Sequence, residues 1–120
     1  IASARQAVAD TFVAQPVKSY LLEIVTATRD SAQTEIGASP RAALDLLHAA
    51  KARAAVEGRQ YVVPDDVKHL AVDVLAHRLV LSTDAELSET TTVDTVESVL
   101  DTIDAPSGDI AAAVPDELDE

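Results

Sequence analysis

The residues with the most chemistry in this sequence are consecutive: Gly37-Ala38-Ser39-Pro40-Arg41-Ala42. Gly37 breaks the preceding pattern, Ser39 is a good N-cap, and Pro40 suits the first position of a helix. Capping accounts for Ser39 and Pro40 but not for Arg41. A cation in the first turn faces the positive end of the helix dipole, which costs about 0.3–1 kcal/mol. A nearby anion reverses that sign, because free helical N–H groups beside a guanidinium make a phosphate receptor. The alternative is a plain ion pair, with Glu35 or with Asp45 at i+4. By spacing alone the ion pair is the commoner arrangement, and both readings stand.

Other chemistry is sparse. The glycines are Gly37, Gly58 and Gly108, so neither G-x-x-x-x-G-K-[ST] nor G-x-G-x-x-G can be written. His48, His69 and His77 lack an H-E-x-x-H pattern, and each reads as a structural histidine. The serines lack a G-x-S-x-G elbow. There is no cysteine, which excludes disulfides, thiolate metal sites and cysteine nucleophiles, and fits a cytosolic protein. No metal site and no complete catalytic constellation can be assembled from these residues. Arg78 stands before the apolar run Leu79-Val80-Leu81. Its commoner reading is a structural pair with an acid such as Asp73, and its rarer one faces a neighbouring subunit.

The elements that must position Arg41 follow from helical spacing. Residues 2–12 form a short, weakly amphipathic piece around Ala4, Val8 and Phe12. Pro16 opens a helix with the stripe Val17, Tyr20, Leu21, Ile24 and Val25, fading near Arg29–Ser31. The helix opened by Ser39 and Pro40 carries Ala43, Leu46, Leu47, Ala50 and Ala54, and Gly58 stops it. Tyr61-Val62-Val63 is extended and leads to Pro64. The next helix shows Val67, Leu70, Ala71, Val74 and Leu75, with Asp65 and Asp66 complementing the dipole. Leu79–Leu81 is either a short strand pairing with Tyr61–Val63 or an extended arm. Residues 82–91 read as loop. Thr92 caps a last helix striped by Val93, Val96, Leu100 and Ile103. These blocks predict an all-α bundle of four or five helices, with at most a very short β-hairpin.

At 120 residues and 48% hydrophobic content, one domain with one core is expected. Phe12, Tyr20 and Tyr61 are the whole aromatic complement, so the core must be aliphatic and alanine-rich. The net charge of −12 is lopsided. Residues 1–78 balance nine Lys and Arg against nine acids, whereas residues 79–120 hold the other twelve acids and neither Lys nor Arg. An acidic surface repels phosphate backbones and anionic lipid, so neither nucleic acid nor membrane is an expected partner. No run is apolar enough to span a bilayer. The expected boundaries are a helical domain over 1–105 and a disordered acidic tail over 106–120. An isoleucine in first position is expected of a fragment or an engineered boundary.

Four segments in series resemble the helical lid of MoxR-type AAA+ ATPases. Gly37–Ala42 looks like that family's sensor-2 "GASPRA". Tyr20–Arg29 is similar to its helix ending in "ATR". Gly58-Arg59-Gln60-Tyr61-Val62-Val63-Pro64-Asp65-Asp66-Val67 resembles "GR-x-YV-x-PDDV", and Val74–Leu81 resembles "VL-x-HRL". The likeness covers about residues 17–81, with a weaker extension through 92–103. It implies an AAA+ lid that follows an ATPase core. In that fold a sensor-2 arginine, here Arg41, reaches the γ-phosphate of ATP, with Ser39 and Pro40 setting its helix terminus beside the nucleotide. It further implies ATP and Mg²⁺ held mainly by the core, a hexameric ring, and chaperone-like remodelling or maturation of protein complexes. A von Willebrand factor A-type partner is implied as well. This chain has neither Walker motif and is expected to be inactive alone. Val63 departs from the pattern: the family commonly has Ser or Thr there, and valine cannot cap. The other function class is a stand-alone acidic helical interaction module, which an exposed apolar stripe on the last helix would favour. A histone-like DNA-binding domain, suggested by "PDDV", is excluded by the charge.

Overall fold

The computed structural model describes residues 10–106. Helix α1 is Gln15–Asp30, strand β1 Thr34–Ile36, α2 Pro40–Val56 and α3 Pro64–Leu75. A 3₁₀ turn, Ala76–Arg78, leads to β2, Val80–Leu81, then α4, Thr83–Leu87, and α5, Thr92–Thr102. The described residues thus form a five-helix, mostly α fold with one small two-stranded antiparallel sheet. Most of the expected piece over 2–12, and the acidic tail after Pro106, lie outside the described residues.

The helices exist because their stripes share one core. Val17, Tyr20, Leu21, Ile24 and Val25 of α1 are all buried, as predicted. Leu46 and Leu75 are fully enclosed between α2 and α3 with Ala42, Ala50, Ala54 and Ala71 at zero exposure. These methyl-sized side chains let the two helix backbones come close and replace aromatic bulk. Burial, and secondarily the Asp65 carboxylate, push the Tyr20 phenol above its ordinary range of about 10.

Helix ends are explicit. Gly58, at φ +79°, closes α2 in a Schellman turn: its N–H donates to Ala55 O, and the Arg59 N–H to Ala54 O. Val63 supplies no side-chain cap to α3. Asp66 compensates, its Oδ2 accepting the Val63 N–H at 2.9 Å.

Five expectations are corrected. Val80–Leu81 pairs with Thr34–Ile36 rather than with Tyr61–Val63, and Tyr61 instead bridges in parallel to Phe12. Phe12 is therefore extended, held by Phe12 N–H to Gln60 O and Val62 N–H to Phe12 O. Within 82–91 there is a helical turn, α4, because Ser82 caps it by accepting the Ala85 N–H and Asp84 and Glu86 favour its first turn. The cap of α5 is Thr91, one residue before Thr92, in a reciprocal box with Asp94. The buried face of α5 is Thr95, Val96, Val99 and Leu100, whereas Val93 is 40% exposed.

Candidate functional site

Arg41 sits in the first turn of α2, and the start of that helix is held from α1. Ser39 Oγ accepts the Ala42 N–H at 3.3 Å and Pro40 opens the helix, as expected from their types. The preceding residue, Ala38, is fully buried, and α1 satisfies both of its backbone polar groups. Its N–H donates to Thr28 Oγ1 at 3.0 Å, and its carbonyl accepts from Arg29 Nε at 2.7 Å. The Thr28 hydroxyl in turn donates to Val25 O at 2.6 Å, so one side chain joins the end of α1 to the start of α2. The motifs at 27–29 and 37–42 are thus two halves of one joint.

Gly37 makes the joint possible. A Cβ there would stand 2.4 Å from Arg29 Cα and 2.6 Å from Arg29 N, which are backbone atoms that cannot swing aside. Gly37→Ala is expected to lower stability by about 1–3 kcal/mol, the usual range for overpacking. A urea midpoint equal to that of the parent protein would show that the two segments do not lie this close.

Arg41 projects into solvent with 81% of its side chain exposed. Its ion pair is with Asp45, not Glu35, but loosely: Nε to Oδ1 is 3.6 Å, beyond hydrogen-bond distance. An exposed i,i+4 pair contributes only about 0.3–0.5 kcal/mol, so it leaves Arg41 available to another anion. Arg78 makes an acid pair, as its commoner reading expects, but with a different acid. It pairs with Asp45 of α2 rather than Asp73, Nη2 to Oδ2 at 2.8 Å.

A groove of about 420 Å³ lies beside the Pro40 end of α2. Leu22 and Val25 of α1 face Pro40, Ala43, Leu44 and Leu47 of α2 across it, with Arg29 at its edge. Leu22 and Leu44 are each about half exposed. His48, His69 and His77 are all exposed. Among the described residues, no three His, Cys, Asp or Glu side chains cluster in a way that could hold a metal ion.

Three features lay beyond sequence reasoning. The clamp from Thr28 and Arg29 onto Ala38 was hidden, although both segments were recognisable as motifs. The acid that pairs with Arg78 is Asp45, which lies 33 positions earlier on α2 and gives no local signal. Asp66, assigned to the dipole, is fully buried and accepts from Arg53 Nη1 and Arg59 Nη2, both at 2.5 Å on Oδ1. That lock fixes α3 against the end of α2 and so sets where Arg78 emerges.

Comparison with known proteins places this geometry in a family. The AAA lid domain family model matches residues 26–99. Chaperone MoxR1 of Mycobacterium tuberculosis is 39% identical over 107 residues, which is 82% of this chain and 28% of that protein. Protein MoxR of Methylorubrum extorquens is 39% identical over 71 residues, 58% of this chain and 21% of that one. The crystal structure of a candidate ATPase from Cytophaga hutchinsonii superposes with a TM-score of 0.80 at 31% identity, covering 86% of this chain and 34% of that one. The chain spans only about a quarter of the length of these curated relatives.

Proposed function

Because this chain belongs to the AAA lid domain family, as the lid of a MoxR-type ATPase, we propose that it senses ATP through Arg41. The supporting observation is a guanidinium 81% exposed on a helix start that is capped by Ser39 and Pro40 and tied to α1 through Ala38. The helix dipole disfavours a cation there, and a phosphate brought to it reverses the sign. Arg41 supplies charge and a fork of N–H donors to the terminal phosphate, strengthening as charge builds during transfer. Loss of that phosphate releases the contact, so lid angle follows nucleotide state.

In this reading an upstream core supplies the phosphate loop and the Mg²⁺ ligands. The apolar groove beside Pro40 gives that core a surface to pack against. Assembly into a hexameric ring, a von Willebrand factor A-type partner, a cytosolic setting and chaperone-like remodelling belong to the same proposal. The acidic interaction module finds little support, because α5 turns Val96, Val99 and Leu100 into the core. No helix among the described residues is long and apolar enough to cross a membrane.

The test is ATP turnover by the intact ATPase carrying Arg41→Ala, with its far-UV circular dichroism unchanged. Turnover at the parent rate would remove the sensor role.

A further inference from the structure

We propose that Arg78 is a positioning residue that keeps Arg41 free for phosphate by occupying Asp45. The inference rests on the sensor reading of Arg41 and adds a residue to it. Asp45 follows Arg41 by one helical turn on α2, a spacing that puts the two side chains on the same face within reach of each other. Left as a pair, the two charges would cancel and the guanidinium would be drawn back along its own helix. A third group prevents this. Arg78 Nη2 is 2.8 Å from Asp45 Oδ2, whereas Arg41 Nε is 3.6 Å from Oδ1. The carboxylate makes its hydrogen-bonded pair with Arg78 and only a loose one with Arg41.

The two arginines are anchored differently. Arg78 ends the 3₁₀ turn between Ala76 and Leu79, which are buried at 4% and 7% exposure. Its position is therefore set by the core. Arg41 is anchored only by its backbone, and its side chain is 81% exposed. The cluster of two cations and one anion carries a net charge of +1, so the surface around Arg41 stays attractive to phosphate. The loose contact also uses Nε, which leaves both terminal nitrogens of Arg41 open to an incoming anion.

The experiment compares the intact ATPase with R78Q, R78K, R78Q/D45N and R41A, reading kcat and KM for ATP together with thermal melting. R78Q is expected to lower kcat/KM for ATP about two-fold, the size an exposed i,i+4 pair between Arg41 and Asp45 allows. R78K, which keeps a cation on Asp45, recovers most of the loss. D45N added to R78Q restores turnover, because the carboxylate that captures Arg41 is gone. A merely structural Arg78 would show lower melting in R78Q that D45N does not repair. Parent-like turnover in R78Q, or a loss that D45N leaves in place, overturns the role of Arg78 while Arg41 keeps its own if R41A is slow. Parent-like turnover in R41A overturns both.

Discussion

The double variant Arg53→Ala, Arg59→Ala is expected to lose about 3–5 kcal/mol of folding stability, because it strands a fully buried carboxylate. Asp66 has no exposed side-chain surface, and both of its cations donate to the same oxygen, Oδ1. The remaining oxygen accepts one backbone N–H, which cannot replace two guanidinium groups. Domains of this size have about 5–15 kcal/mol of stability in total, so the variant sits near the edge of folding. Its melting temperature should fall by more than about 10 °C, given some 4–8 °C per kcal/mol for domains near this length. Adding Asp66→Ala to the double variant should recover part of the loss, since the stranded charge is then gone. Urea unfolding followed by circular dichroism measures both. A loss below about 1 kcal/mol in the double variant, typical of an exposed pair, would mean that water reaches Asp66.

Arg41→Ala carries the second large effect, on turnover rather than on stability. Removing one preorganised donor from developing charge costs about 10²–10³-fold in rate, and a loss of roughly 10²-fold is expected in the intact ATPase. Stability should stay within about 0.5 kcal/mol, because the side chain is solvent-exposed and its single ion pair is loose. ATP should lose more affinity than ADP, since only ATP carries the terminal phosphate. Arg41→Lys should recover part of the rate, keeping the charge and losing the planar fork. Equal loss for ATP and ADP would move Arg41 away from the terminal phosphate.

How much of this was legible depends on how local each feature is. The stripe Val17, Tyr20, Leu21, Ile24, Val25 repeats at helical spacing, and all five residues are buried in α1. Ser39, Pro40 and Gly58 are likewise local signals, and each sits where its backbone chemistry puts it. The strand partner was not local. Val80–Leu81 reaches back past two helices to Thr34–Ile36, a choice made by how α2 and α3 pack and not by either segment's composition. Asp66 misled for a related reason. An acid in a first turn already has an explanation in the dipole, so nothing along the chain demands Arg53, thirteen residues earlier. Thr28 shows the converse: a threonine near a helix end looks unremarkable until the Ala38 N–H is seen to need an acceptor. Val93 fits the period of α5, yet as the second residue of that helix it is 40% exposed.

If Arg41 meets the terminal phosphate of ATP, the reactivity of that one guanidinium must follow the nucleotide bound. The intact ATPase would be treated with phenylglyoxal alone, with ADP, and with a non-hydrolysable ATP analogue, and modification at Arg41 read by peptide mass spectrometry. The exposed side chain should react readily alone and with ADP, and be protected by the ATP analogue. Equal modification of Arg41 in all three states, while the nucleotide is demonstrably bound, would mean that Arg41 does not meet the terminal phosphate.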